Sequence, residues 1–314
     1  MQNVLVTGGA GFIGSHLCRH LLDKGYKVIC LDNLITGSRK NIEPLLGSPN
    51  FEFVEADVTK PLSPNLKSIT YIFHLASPAS PIDYQDLPEE TLTVNSIGTL
   101  NVLNLAKDTG ASLLIASTSE VYGDPLVHPQ KETYLGNVNT FGPRSCYDES
   151  KRFAEAATYV YLHKYNIDAR IVRIFNTYGP NMQVNDGRVV SNFINQAIKN
   201  EPLTIYGDGS QTRSFCFVSD MVEGLSKAMF TEGTNGEIFN LGNPEEYSML
   251  DLAKKIKEMT DSASEIIYKE LPKDDPKQRR PDISKAERVL NWQPIVKVDE
   301  GLQKTIEYYR SLNS

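Results

Sequence analysis

The feature that most constrains this 314-residue chain lies near its start. Asn3 to Thr7 (NVLVT) is a short β-branched run, Gly8, Gly11 and Gly14 follow at three-residue spacing, and helical periodicity begins at Phe12 and Ile13 and runs to Leu22. A strand that enters a helix through such glycines suits one kind of ligand. A tight turn, a close backbone approach to pyrophosphate and close helix–sheet packing each exclude a side chain, and the helix N-terminus offers partial positive charge. The context agrees. Lys27 to Leu31 (KVICL) reads as a second strand, and Asp32 ends it, eighteen residues past Gly14. A carboxylate there accepts hydrogen bonds from an adenosine ribose and repels a 2′-phosphate, which favours NAD over NADP. Asp57 and Val58, after a third strand at Phe51–Val54, are placed to meet the adenine.

The pattern then repeats. Apolar strands at Tyr71–Leu75, Ser112–Ala116 and Ala169–Phe175 alternate with helices expected at Ser38–Leu46, Glu89–Asp108 and Ser145–Tyr165. Short apolar runs alternating with helices predict an α/β fold, a Rossmann-type doubly wound parallel sheet covered on both faces. Past Gly179 the chain is richer in turn residues and arginine as far as Arg213. A helix at Val218–Phe230, a strand at Glu237–Leu241 able to rejoin the sheet, and a charged run at Leu271–Arg288 follow. The expected division is residues 1–178 and 214–260 as the NAD-binding domain, with 179–213 and 261–314 as a smaller, sequence-discontinuous C-terminal substrate lobe.

Composition removes several classes. The 32 Lys+Arg against 39 Asp+Glu leave a net charge of −7, which argues against a long nucleic-acid partner. The charge-free stretch Thr91–Ala106 is too short and too polar to span a membrane. Cys18, Cys30, Cys146 and Cys216 are scattered without a CxxC pair, and the five histidines do not cluster. Reduced thiols, no metal site and a cytoplasmic location are the expectation.

Tyr147 and Lys151 are spaced i,i+4 on the helix predicted at 145–165 and project from one face. A nearby ammonium, with a nicotinamide cation, would lower the phenol's pKa, so that the phenolate could take a sugar hydroxyl's proton as hydride leaves the same carbon. Thr118, just beyond the fifth strand, falls at the carboxyl edge of the sheet, where ligands bind. With these residues the sequence resembles the extended short-chain dehydrogenase/reductase family of nucleotide-sugar enzymes. The resemblance implies that Asn33, Thr36, Gly37, Leu75, Ser77 and Thr177 also line the NAD site, that Asn176 binds substrate, and that the enzyme is a homodimer.

Ala116-Ser117-Thr118-Ser119-Glu120-Val121-Tyr122-Gly123 narrows the chemistry. The family's 4,6-dehydratases carry Thr-Asp-Glu, in which the Asp protonates the leaving C6 hydroxyl; here Ser119 takes its place, and a serine hydroxyl is a poor acid for that task. Ser119-Glu120 resembles the UDP-glucuronate decarboxylases, as do His74-Leu75-Ala76-Ser77-Pro78-Ala79-Ser80-Pro81, Gly142-Pro143-Arg144-Ser145-Cys146-Tyr147-Asp148-Glu149 and Gln211-Thr212-Arg213-Ser214-Phe215. The chain departs from them at Thr93-Val94, where they carry Lys-Thr, and at Leu135, where they carry Trp. The chemistry so implied is oxidation of UDP-glucuronate at C4 with Tyr147 as base, loss of carbon dioxide from the 4-keto acid, protonation at C5 by Glu120 or a water it orients, and hydride return to give UDP-xylose. Arg188 is expected at the diphosphate or cofactor, Arg213 at the carboxylate or diphosphate, Tyr206 on the uracil and Arg280 at the diphosphate, whereas Arg279 reads more as part of a solvated face. The alternatives are another nucleotide-sugar 4-epimerase or 4,6-dehydratase, and a silent NAD-binding scaffold.

Overall fold

A computed structural model describes residues 2–62, 66, 68–271 and 278–312. Its first strands are β1 (Asn3–Thr7), β2 (Lys27–Asp32), β3 (Phe51–Glu55), β4 (Tyr71–His74), β5 (Ser112–Thr118) and β6 (Ala169–Ile174). Four short strands follow, β7 (Thr177–Tyr178), β8 (Leu203–Tyr206), β9 (Thr212–Ser214) and β10 (Cys216–Phe217). The last are β11 (Ile238–Leu241), β12 (Glu246–Ser248), β13 (Ile266–Lys269) and β14 (Gln278–Arg279). Seven of them form one parallel sheet in the order β11-β6-β5-β4-β1-β2-β3. Val4, Leu5 and Val6 are all buried, because both sheet faces are covered and neither alternate residue meets water. From β1 the chain winds through β2 and β3 to one side, then crosses to β4 and winds the other way. The crevice between the carboxyl ends of β1 and β4 is therefore the topological switch point, where such sheets hold ligands.

The helices are α1 (Phe12–Asp23), α2 (Arg39–Ile42), α3 (Pro81–Asp86), α4 (Pro88–Thr93), α5 (Thr99–Thr109), α6 (Ser145–Tyr165), α7 (Val189–Ile198), α8 (Val218–Phe230), α9 (Met249–Thr260), α10 (Ser284–Leu290) and α11 (Val298–Leu312). The helix expected at Ser38–Leu46 is reduced to α2 and one 3₁₀ turn. The one expected over Glu89–Asp108 is interrupted by a π turn at Val94–Gly98. The interruption has a local cause. Thr93 and Ser96 hydroxyls and the Asn95 amide bond back to carbonyl oxygens of the preceding turn, at 2.8, 2.6 and 3.0 Å, competing with the helix ladder. A Cβ on Gly98 would come within 2.8 Å of Val58 Cγ2, so the glycine lets this turn press against the cavity wall.

β7 pairs with β10 in a two-stranded sheet, and two further small sheets lie after Gly179. β13 pairs with β8, and β9 lies between β12 and β14. β12, within the segment expected in the cofactor-binding half, pairs with β9, and α9 packs on α7. Part of the charged run, 272–277, lies outside the described residues. All four cysteines are free thiols. Among the described residues no helix is long and apolar enough to cross a membrane.

Candidate active site

One cavity runs along the carboxyl edge of the parallel sheet, and every residue expected at the cofactor lines it. Its floor begins at the glycine turn. Gly8 has φ +70°, and a Cβ there would stand 2.7 Å from the Ala76 nitrogen, so β1 turns directly against the segment after β4. A Cβ on Gly14 would collide with the Gly8 carbonyl oxygen, so α1 begins hard against the turn. Gly11 caps α1 without a side-chain hydrogen bond, and the first turn holds no acidic residue. The helix N-terminus is thus left for an anion in the cavity. Asp32 ends β2 with its carboxylate accepting from the Ala10 and Leu34 amides at 2.9 and 2.8 Å. Burial raises its pKa and these amides oppose the rise. Gly37 lies against the same carboxylate. An uncapped helix start, a fixed carboxylate one strand away, and Val58, Leu75 and Ile13 as apolar walls fit a dinucleotide.

At the other end of the cavity α6 brings in the reactive pair. Its inward face repeats Tyr147, Lys151, Ala154 and Thr158, all buried. Lys151 Nζ donates to the Ala116 carbonyl oxygen at 2.9 Å, and Thr118, at the end of β5, lies near enough to the Tyr147 phenol to favour its ionised form. Burial pushes the Tyr147 pKa up, against the expected lowering, and pulls Lys151 down to about 7. The protein alone does not activate the phenol.

Glu120 follows Ser119 in a 3₁₀ turn at the cavity wall. Arg144 Nη2 reaches its Oε2 at 2.5 Å, and Arg279 bonds its Oε1 while also donating to the Gly123 carbonyl oxygen at 3.1 Å. Burial would raise the Glu120 pKa, but the Arg279 and Arg144 guanidiniums hold it at about 2. Asp148, beside Arg144, goes the other way: burial first, and the Glu120 charge second, raise it to about 7.

Ser119, Asn176 and Arg188 also line the cavity. Asp186 holds the Arg188 guanidinium at 2.6 Å. Three expected substrate residues do not line it. Tyr206 is half exposed on β8, Arg213 is buried on the middle strand β9, and Arg280 is 3.7 Å from Glu246 with its side chain 41% exposed. Arg280 lies just past β14, whose last residue, Arg279, reaches Glu120 instead. Arg279, expected on a solvated face, is 2% exposed. Sequence reasoning also missed Arg144 and Tyr84. The Tyr84 ring stacks on Tyr147, with centroids 5.0 Å apart and planes at 6°, and its buried hydroxyl has no hydrogen-bond partner among the described residues. Arg144 was visible inside the Gly142–Glu149 string, but nothing local to it points to Glu120. Thr93 lines the cavity with its hydroxyl turned back to the Glu89 and Glu90 carbonyls, so no cation stands at that position.

A family model described as GDP-mannose 4,6 dehydratase matches residues 5–305. The chain belongs to this family. UDP-glucuronic acid decarboxylase 1 of Xenopus tropicalis is 52% identical over 98% of this chain and 72% of its own length. UDP-glucuronic acid decarboxylase 6 of Arabidopsis thaliana is 54% identical over 98% and 89%. Among solved structures, a UDP-glucuronic acid 4-epimerase from Bacillus cereus, in complex with UDP-glucuronic acid and NAD, superposes with a TM-score of 0.91. It is 31% identical and covers 99% of this chain and 100% of that one.

Proposed function

We propose that the protein is a UDP-glucuronate decarboxylase that uses NAD to make UDP-xylose. The observation that carries this reading is the pairing of an oxidation site with no carboxylic acid at the leaving-group position: Tyr147, Lys151 and Thr118 meet Ser119 and an ionised Glu120. Such a site can make a 4-ketone but has no acid there to expel a C6 hydroxyl. A carboxylate β to that ketone needs none, because its electrons delocalise into the carbonyl as carbon dioxide leaves. Relatives at 52–54% identity carry the same activity in their names.

The roles follow from the geometry. The glycine turn, Asp32 and the Val58–Leu75 walls hold NAD, with Asn33, Thr36, Gly37, Asp57, Ser77 and Thr177 around it. When bound, NAD accepts the C4 hydride and later returns it. Tyr147 takes the C4 hydroxyl proton and gives it back at the end, with Thr118 orienting the phenol and Lys151 supplying positive charge. Glu120, clamped by Arg144 and Arg279, orients the water that protonates C5. Arg188, Asn176 and the unpartnered Tyr84 hydroxyl are groups for the nucleotide sugar. A cytoplasmic location agrees with four free cysteines, and a homodimer with the apolar outer face of α6, where Phe153, Tyr159 and Val160 are exposed. The division into a cofactor domain and a sugar lobe is part of the same proposal, with the second cofactor segment ending near Leu241.

Purified protein offered UDP-glucuronate, UDP-glucose and dTDP-glucose should convert the first to a UDP-pentose by mass spectrometry. Conversion only of a glucose nucleotide, or an epimer of unchanged mass, would overturn the assignment.

A further inference from the structure

Behind the Tyr147–Lys151 pair lies a carboxylate that the proposed chemistry does not use. Glu155 follows Lys151 by one turn of α6, so the two side chains leave the same face. Ser117, next to the carbonyl that Lys151 bonds, donates its hydroxyl to Glu155 Oε1 at 2.6 Å. Arg173 on β6 grips the same carboxylate with both arms, Nε at 2.9 Å from Oε1 and Nη2 at 2.7 Å from Oε2. Its Nη1 is anchored on the Tyr122 hydroxyl and the Glu132 carbonyl oxygen, at 2.9 and 3.0 Å. Donors on both sides thus hold the Glu155 carboxyl in place, with little exposure to water.

We propose that Glu155 is a positioning residue for the redox step: clamped by Arg173 and Ser117, its fixed negative charge keeps the buried Lys151 ammonium protonated beside the Tyr147 phenol. This deepens the function proposed above and rests on it for the roles of Tyr147 and Lys151. The groups that face Lys151 are Tyr147 and Glu155 from its own helix, the Ala116 carbonyl of β5 and His74 of β4, with Arg173 of β6 standing beyond Glu155. His74 lies between the Thr7 and Thr99 hydroxyls at 2.7 and 3.2 Å, and burial lowers its pKa to about 3, so it is neutral. Burial draws the Lys151 pKa down, and Glu155 opposes that fall. With Glu155 neutralised, Lys151 and Arg173 would be two buried cations without their shared counter-charge. Of the two, only lysine readily gives up a proton.

Glu155→Gln retains size and hydrogen-bonding capacity but not charge. The pH profile of kcat is measured with whichever nucleotide sugar the wild type converts, so a failed UDP-glucuronate assignment leaves this test standing; a wild type that converts none overturns both readings. The alkaline limb of E155Q should move down by about one pH unit or more, a loss of at least about ten-fold on that limb, with the acidic limb nearly unchanged. Glu155→Asp, which keeps the charge, should return the alkaline limb to its wild-type position even if kcat is lower. Loss by one factor at every pH, or an unmoved limb, would mark Glu155 as structural and overturn the proposal. If E155Q does not accumulate as folded protein, Ser117→Ala decides: it removes a neutral donor of the clamp and changes no charge. The alkaline limb should move to lower pH, and a limb unmoved or raised contradicts the proposal.

Discussion

Replacing Glu120 with glutamine should expose the energetics of the arginine clamp. The carboxylate sits between two guanidiniums with a side chain only 15% exposed, so solvent screening is weak. Its pKa is held at about 2 against an ordinary 4.5. At about 1.4 kcal/mol per pH unit, that difference corresponds to on the order of 3 kcal/mol of native-state stability. Because the folded value is the lower one, the contribution is complete above pH 4.5 and disappears as the pH falls through about 2. E120Q keeps the shape and leaves Arg144 and Arg279 facing each other without the carboxylate, the arrangement in which a broken buried pair is most costly. Asp148 softens the loss: freed from the Glu120 charge that helps hold it near 7, it ionises at lower pH and restores part of the balance. The 3 kcal/mol is therefore an upper bound. Urea unfolding of both proteins at neutral pH and at steps below pH 4.5 gives the deficit directly. A deficit of about 1–3 kcal/mol that closes as the pH falls supports the clamp. E120Q as stable as wild type at neutral pH, or a deficit that does not change with pH, refutes it.

Three further outcomes follow. Tyr147→Phe should abolish turnover, a loss of at least about 10²-fold, and leave nucleotide-sugar affinity within a few-fold by calorimetry; retained activity would remove Tyr147 from the chemistry. Asp32→Asn should weaken NAD binding by about one to two decades in titrations of cofactor-stripped protein and narrow the preference over NADP, because charge-assisted hydrogen bonds are worth about 1.5–3 kcal/mol. Lys151→Met should abolish turnover yet unfold at higher denaturant than wild type at neutral pH. The lysine's folded pKa of about 7 lies below its ordinary 10.5, so its cost to stability is present at low pH and fades as the pH rises from about 7 to 10.5. A K151M protein less stable than wild type at pH 7 would contradict this.

The sequence revealed the cofactor end of the site better than the sugar end, for a physical reason. Gly8, Gly11, Gly14 and Asp32 do their work within two adjacent strands and one helix, so local spacing is enough to place them. Tyr147 and Lys151 share one helix face and are equally readable. Arg279, Arg144 and Tyr84 reach the site from separate elements, and no spacing in the chain joins them. Arg279 and Arg280 are neighbours in one charged run, and composition does not say which of them reaches Glu120. The broken helix at 88–109 shows a similar limit. Apolar periodicity continues across it, while Thr93, Asn95 and Ser96 redirect the backbone through side-chain bonds that periodicity does not register. The Tyr147 phenol is the clearest case. Spacing suggested activation by Lys151, but burial depends on the surrounding fold, and burial dominates both groups.

The most direct test of the central claim follows the C6 carbon. UDP-glucuronate carrying carbon-13 at C6 is incubated with the purified NAD-loaded protein, and the label is traced by NMR while the nucleotide product is weighed by mass spectrometry. The account predicts that the label leaves as carbon dioxide and that a UDP-pentose accumulates in equal amount. Label retained in a uronic acid nucleotide, whether unreacted or inverted at C4, would contradict it.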